Sequence, residues 1–294
     1  MMPSLSLRMA LPLAGAAALL LAAIQPISAQ LLAVPTGPVL PDAQRGAWFA
    51  GDCADPRGML VVTARSVARV DAEAPARLFR LAATRAADGW TIGTATGAEA
   101  PRIMLRPAGE GLETAEPDPK TRDDRLPGTA TLAAWRRCAA PPPVLAALHG
   151  EGAAFLAIVE HLEAGCASGT PGVCAQAIVA QADVSGDGLL TTAEIARLAR
   201  GAAWLGAVQE GGTQDVIAAA VGAGAVAGIL AGRVLLESLD YDGDGRLSAA
   251  ELAQDRAAFA AAPGSTAGRP LRVEGLTEGA GMLRGLFEGL MNLR

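Results

Sequence analysis

The chain has 294 residues, a net charge of −6 and 51% hydrophobic residues, enough length for one large or two small domains. Its acidic balance has no basic cluster to offset it, which argues against nucleic acid as a partner. Four cysteines and two histidines leave little room for zinc or thiol chemistry.

Residues 1–29 read as a secretory signal. Arg8 supplies the positive start, residues 9–24 form an apolar run, and Ile27-Ser28-Ala29 offers small residues for cleavage after Ala29. Removal would leave 265 residues, with 30–44 as a lead, in the periplasm or secreted. An uncleaved signal anchor is the alternative. Basic charge is almost wholly arginine, Lys120 being the single lysine, which with the abundant alanine is the composition of a GC-rich bacterial genome.

Residues 45–138 hold three of the four tryptophans and short runs suited to strands, at 60–63, 78–81, 90–94 and 103–105. Turn signals such as Asp88-Gly89 separate them. The stretch 110–128 is polar and acidic and is expected to be an exposed loop. The region opens on Gly46-Ala-Trp48 and Cys53 and closes on Trp135-Arg-Arg-Cys138, which suits a small antiparallel meander or barrel with its first and last strands joined. It resembles small exported β-domains with a Gly-x-Trp opening. That resemblance implies an unidentified protein or small-molecule partner at most.

The even cysteine count suggests two disulfides, for which three connectivities exist. Nearest partners are favoured, Cys53 with Cys138 and Cys166 with Cys174, contributing about 4.5 and about 2.5 kcal/mol in the loop-entropy view.

Residues 139–143 are a proline-containing linker, and 144–262 turn helical. Apolar residues at Leu148, Phe155, Ile158, Val159 and Leu162 keep a helical period. Thr170-Pro171 marks the next helix start.

Two twelve-residue segments then repeat one pattern. Residues 183–194 carry Asp183, Ser185, Asp187, Gly188, Leu189 and Glu194 at positions 1, 3, 5, 6, 7 and 12; residues 240–251 carry Asp240, Asp242, Asp244, Gly245, Arg246 and Glu251. Both fit D-x-D/N/S-x-D/N-G-x5-E and resemble EF-hand calcium loops. Calcium takes about six to eight oxygens, so oxygen-bearing side chains alternate, the seventh residue gives its carbonyl, and the last glutamate closes the site. Glycine at position 6 permits the sharp turn. The resemblance implies two calcium ions, the second held more tightly because its loop has four acidic ligands against three. Leu190 and Leu247 stand at position 8, where such loops pair through a short β-bridge. Arg246 is expected to face outward.

The loops begin 57 residues apart, wider than in the usual tandem pair. The excess includes residues 216–232, uncharged and bearing Gly224, Gly228 and Gly232 on one helix face. Three readings are open: close packing within the domain, which is favoured; an oligomer or membrane-surface contact; and a transmembrane span, for which the run is short. Residues 263–275 form a second linker, and 276–294 an amphipathic helix. The first loop is also similar to a dockerin repeat, an adhesion or scaffold module, although its closing glutamate and full entering helix differ.

His149 and His161 are expected on helix surfaces. The chain has no HExxH, GxSxG, phosphate loop or dinucleotide fingerprint. The expectation is an α+β, non-enzymatic, exported calcium-binding protein: a disulfide-closed β-domain followed by a paired-loop helical domain, acting as sensor, buffer or calcium-stabilised module.

Overall fold

The computed structural model describes residues 39–254, apart from 98 and 168. The expected signal segment, most of the lead, residues 255–262, the second linker and the C-terminal helix lie outside the described residues. The α+β order holds.

Eight strands come first: β1 Gly46–Gly51, β2 Pro56–Val62, β3 Ser66–Asp71, β4 Arg77–Ala87, β5 Trp90–Ala95, β6 Arg102–Ala108, β7 Gly111–Ala115 and β8 Leu132–Trp135. Each pairs antiparallel with the next. Phe49 and Arg136 exchange both backbone hydrogen bonds, at 2.8 and 2.9 Å, and nearly close the sheet into a barrel. The interior is filled from every strand, with Trp48, Leu60, Val67, Phe79, Ile103 and Leu112 among its residues. Residues one step along face the other way. Met59 and Val61 belong to a second cluster shared with the helices, so β2 is buried on both faces. That double burial explains why Met59–Val62 reads as a continuous apolar run rather than an alternation.

The exposed loop expected over 110–128 is corrected. It contains β7, whose Leu112 and Ala115 are each 1% exposed. Its polar residues are answered across the ladder: Glu113 lies opposite Arg106, whose Nε donates to it at 2.8 Å. Beyond β7 the chain crosses the outer face of Trp90, Ile92 and Met104, where Leu126 packs. Buried Arg102 fastens it by donating to the carbonyls of Asp118, Pro119 and Thr121.

Five helices follow: α1 Pro143–Ala167, α2 Pro171–Ala182, α3 Thr192–Gln209, α4 Gln214–Leu239 and α5 Ala249–Ala253. Leu156 of α1 and Trp204 and Val208 of α3 join Phe49, Val61 and Val70 in the shared cluster. Two glycines permit this. A Cβ on Gly152 would lie 2.1 Å from Trp204, and one on Gly201 would lie 2.4 Å from the Phe155 Cβ. Each helix receives the other's aromatic ring where it has no side chain.

His149 is not on the surface, contrary to expectation. It is 1% exposed, and its Nδ1 accepts a hydrogen bond from the Trp204 indole at 2.9 Å. Period counting places it on the same face as Leu156, but its polarity masked that. His161 is exposed as expected. Glu160, also buried, accepts hydrogen bonds at Oε1 from Thr63 and Ser66, both 2.6 Å, and from the Arg65 N–H at 3.0 Å. This clamps α1 to the β2–β3 turn.

Both favoured disulfides are present. Cys53–Cys138 ties the end of β1 to the end of β8, and Cys166–Cys174 ties α1 to the first turn of α2. Two such bonds belong to an oxidising, exported environment.

The glycine face of α4 lies on α3. A Cβ on Gly224 would meet Ala203 Cβ at 2.7 Å, one on Gly228 the Ala196 Cα at 2.7 Å, and one on Gly232 the Thr192 Cγ2 at 3.0 Å. The opposite face is exposed, including Val226, Ile229, Leu230 and Val234. Helices α1 and α4 are long and apolar enough to cross a membrane by length and composition.

Candidate metal centre

Two like turns connect α2 to α3 and α4 to α5. Asp183 caps the end of α2, and Thr191 begins α3 with a reciprocal box: its hydroxyl accepts from the Glu194 N–H, while Glu194 Oε2 accepts from the Thr191 N–H at 2.9 Å. Asp240 caps α4, and Ser248 and Glu251 form the same box at α5, where Oε2 accepts from the Ser248 N–H at 2.8 Å. The signature S/T-x-x-E is thus written into both repeats.

Inside the first turn, Asp183 gathers the chain. Its Oδ1 accepts from the Gly186 N–H at 2.6 Å and its Oδ2 from the Gly188 N–H at 2.7 Å. Asp240 does the same to Gly243 and Gly245, at 2.7 and 2.8 Å. Gly188 and Gly245 have φ of 78° and 81°, the left-handed conformation the sequence demands at position 6. Asp187 accepts from the Leu189 N–H at 3.0 Å, and Asp244 from the Arg246 N–H at 2.8 Å, so the seventh residue is anchored in each turn. The closing glutamates are buried, and Oε1 of each reaches back to the second residue: Glu194 to Val184 at 2.8 Å, Glu251 to Tyr241 at 3.0 Å.

The two turns are joined as the position-8 residues imply. Leu190 and Leu247 exchange N–H to C=O bonds at 2.8 and 2.9 Å, with both side chains buried among Val179, Ala182, Ile195 and Leu239. Residues far apart in sequence are thereby brought side by side.

Oxygens of Asp240, Asp242 and Asp244 lie within 4.8 Å of one another. At the matching place in the first turn, the Ser185 hydroxyl donates to Asp183 Oδ1 at 3.1 Å. Burial raises the Glu194 carboxyl, but N–H donors from Thr191, Ser185 and Val184 and the Thr191 hydroxyl outweigh it and hold its pKa down at about 2. Asp183 is also lowered, chiefly by the Gly188 N–H, and Glu251 chiefly by the Ser248 N–H and hydroxyl. All three are carboxylates at neutral pH.

The donor set is oxygen only, with no histidine or cysteine, which fits a hard divalent cation. Arg246 is exposed, as expected, and its guanidinium also crosses to the first turn and contacts Asp187. The pattern of a single loop carries no information about a contact between loops. Comparison of the chain with family models, with curated proteins and with solved structures finds no match.

Proposed function

We propose that this is an exported calcium-binding protein of EF-hand type, in which the paired turns at 183–194 and 240–251 each hold one ion. The observation that carries this reading is the repetition itself. Two complete oxygen sets at identical spacing share the same internal hydrogen bonds and are coupled by the Leu190–Leu247 bridge. Asp183, Ser185, Asp187, the Leu189 carbonyl and Glu194 would hold one ion. Asp240, Asp242, Asp244, the Arg246 carbonyl and Glu251 would hold the other.

The bound ion would neutralise carboxylates that otherwise repel one another. It would lock α2 to α3 and α4 to α5, stabilising the folded chain by mass action. Because α3 also seats Trp204 against the barrel, that stabilisation would reach the β-domain. Exported modules of this type work at about 0.1–1 mM calcium, a range suited to a structural or threshold role in the periplasm.

The test is calorimetric titration of calcium chloride into the full exported chain, with thermal melts in calcium and in chelator. Two ions and a calcium-dependent rise in melting temperature are expected. Absence of heat and of any shift at millimolar calcium would end the reading.

A second reading has an observation of its own. The outer face of α4 exposes Val216, Val226, Leu230 and Val234 at 53–63%. Contact with a membrane surface through that face accounts for so much apolar area, whereas an oligomer joined through the glycine face is disfavoured because α3 occupies it. Flotation with liposomes separates these readings.

A further inference from the structure

A cleft of about 970 Å³ opens where the barrel closes imperfectly, and its lining includes Arg57, Arg136, Arg137 and a single carboxylate, Glu110. Between β1 and β8 the ladder is reduced to the one Phe49–Arg136 bridge. Small residues, Ala50, Gly111 and Ala133 among them, leave the volume unfilled, and Trp135 forms part of the wall.

The charges here are unusual for this protein. The chain is acidic overall, and most of its described arginines are matched to carboxylates, as in Arg69 with Glu116, Arg102 with Asp123 and Arg200 with Glu151. The side chains of Arg57 and Arg136 have no hydrogen-bond or ion-pair partner among the described residues. Arg137 lacks a carboxylate too, yet it is held in place. Its guanidinium stacks 4.2 Å from the Trp48 ring centroid and donates to the Arg45 carbonyl at 2.7 Å.

The Gly-x-Trp opening of β1 serves this arrangement. Gly46 has φ of 115°, and a Cβ there would fall 2.9 Å from Arg137 Nη1. Glycine at 46 therefore makes room for the guanidinium that Trp48 supports. At the other end of β1, the Cys53–Cys138 bond fastens the segment after Gly51 to the residue that follows Arg137, so the cleft's walls are braced.

We propose that this seam binds a small molecule bearing carboxylate or phosphate oxyanions. Guanidinium forks match both groups geometrically, and one pre-stacked arginine lowers the ordering cost of the contact. The volume is that of a small-molecule site. The charge excess, three cations to one anion, favours anionic over cationic ligands.

The experiment titrates glutarate and, separately, inorganic phosphate into the full exported chain in calcium-free, low-salt buffer. Nitrogen–proton NMR spectra report the Trp135 indole and the arginine side chains. A saturable shift at these resonances is expected, weakened about tenfold or more in Arg57→Gln/Arg136→Gln, since each charge-assisted contact is worth at least that factor. Arg233→Gln, on α4, leaves the shift in place. Tighter glutarate binding assigns the site to carboxylates, and tighter phosphate binding assigns it to phosphates. Shifts that grow without saturating, or a double variant that titrates like the wild type, overturn the proposal.

Discussion

The guanidinium of Arg246, at the seventh position of the second turn, contacts the carboxylate of Asp187, at the fifth position of the first. The reverse contact does not exist. The equivalent seventh residue of the first turn is Leu189, and among the described residues the Asp244 carboxylate accepts from the Arg246 backbone N–H of its own turn. One turn therefore carries three carboxylates with a cation against one of them, while the other carries four.

A divalent ion entering the first turn would meet that guanidinium at about 5 Å, a repulsion of about 1.5 kcal/mol in a water-like dielectric. Arg246→Gln, introduced with Glu251→Gln so that only the first turn binds, should tighten calcium about tenfold at low ionic strength. Calorimetry on the two chains provides the comparison. Affinities within twofold of each other would mean the ion pair has no bearing on binding.

Glu251→Gln alone should lower the calcium stoichiometry from two to one, and Glu194→Gln should do likewise for the first turn. Each change keeps size but removes an oxygen that closes the site. Each also weakens a capping box, at a cost of about 1 kcal/mol that persists in chelator. The pH dependence has a definite sign. The Glu194 pKa falls from 4.5 to about 2 on folding, so its stabilisation is complete above about pH 4.5 and fades as pH drops toward 2. Two ions retained by both variants would refute the assignment of these glutamates.

Much of this site was legible because its chemistry is local. Twelve consecutive residues fix the turn, the capping box and the left-handed glycine, and the position-8 leucines carry the bridge. The barrel was legible where strands are apolar and obscure where a strand's polarity is answered by its neighbour, as Glu113 is by Arg106. His149 is obscure in the sequence for a related reason. A polar residue reads as surface until its partner, Trp204, is brought to it from 55 residues away. The Arg246–Asp187 contact and the arginine cleft depend on two distant segments meeting, which no single periodicity records.

The glycine ridge of α4 makes a stability prediction. Gly228→Leu places a side chain where Ala196 and Ala199 atoms already lie 2.7 and 2.8 Å from a Cβ, and overpacking of this kind costs about 1–3 kcal/mol. Calcium binding should weaken as well, because α3 leaves the first turn directly. Leu230→Asn, on the exposed side, should change stability by less than about 0.5 kcal/mol. Denaturant melts decide the first point. Liposome flotation of Leu230→Asn decides whether the outer face is a membrane contact, since loss of flotation by the variant is what that reading requires.

Burial of His149 should make folding sensitive to mild acid. Desolvation disfavours the imidazolium and lowers the pKa from 6.5 to about 4. With Nδ1 accepting from Trp204, the proton of the neutral ring sits on Nε2, which has no partner. Between about pH 6.5 and 4 the unfolded chain binds a proton here that the folded chain refuses. Stability is therefore full above pH 6.5, declines as pH falls toward 4, and is flat below that as far as this residue is concerned. Carboxylates elsewhere add their own slopes, so the measurement is a difference. His149→Gln offers an amide oxygen to the Trp204 N–H and does not titrate, and its melting temperature should fall less than the wild type's between pH 7 and pH 4.5. Parallel pH profiles for the two proteins would show that the ring is protonated without penalty in the folded state.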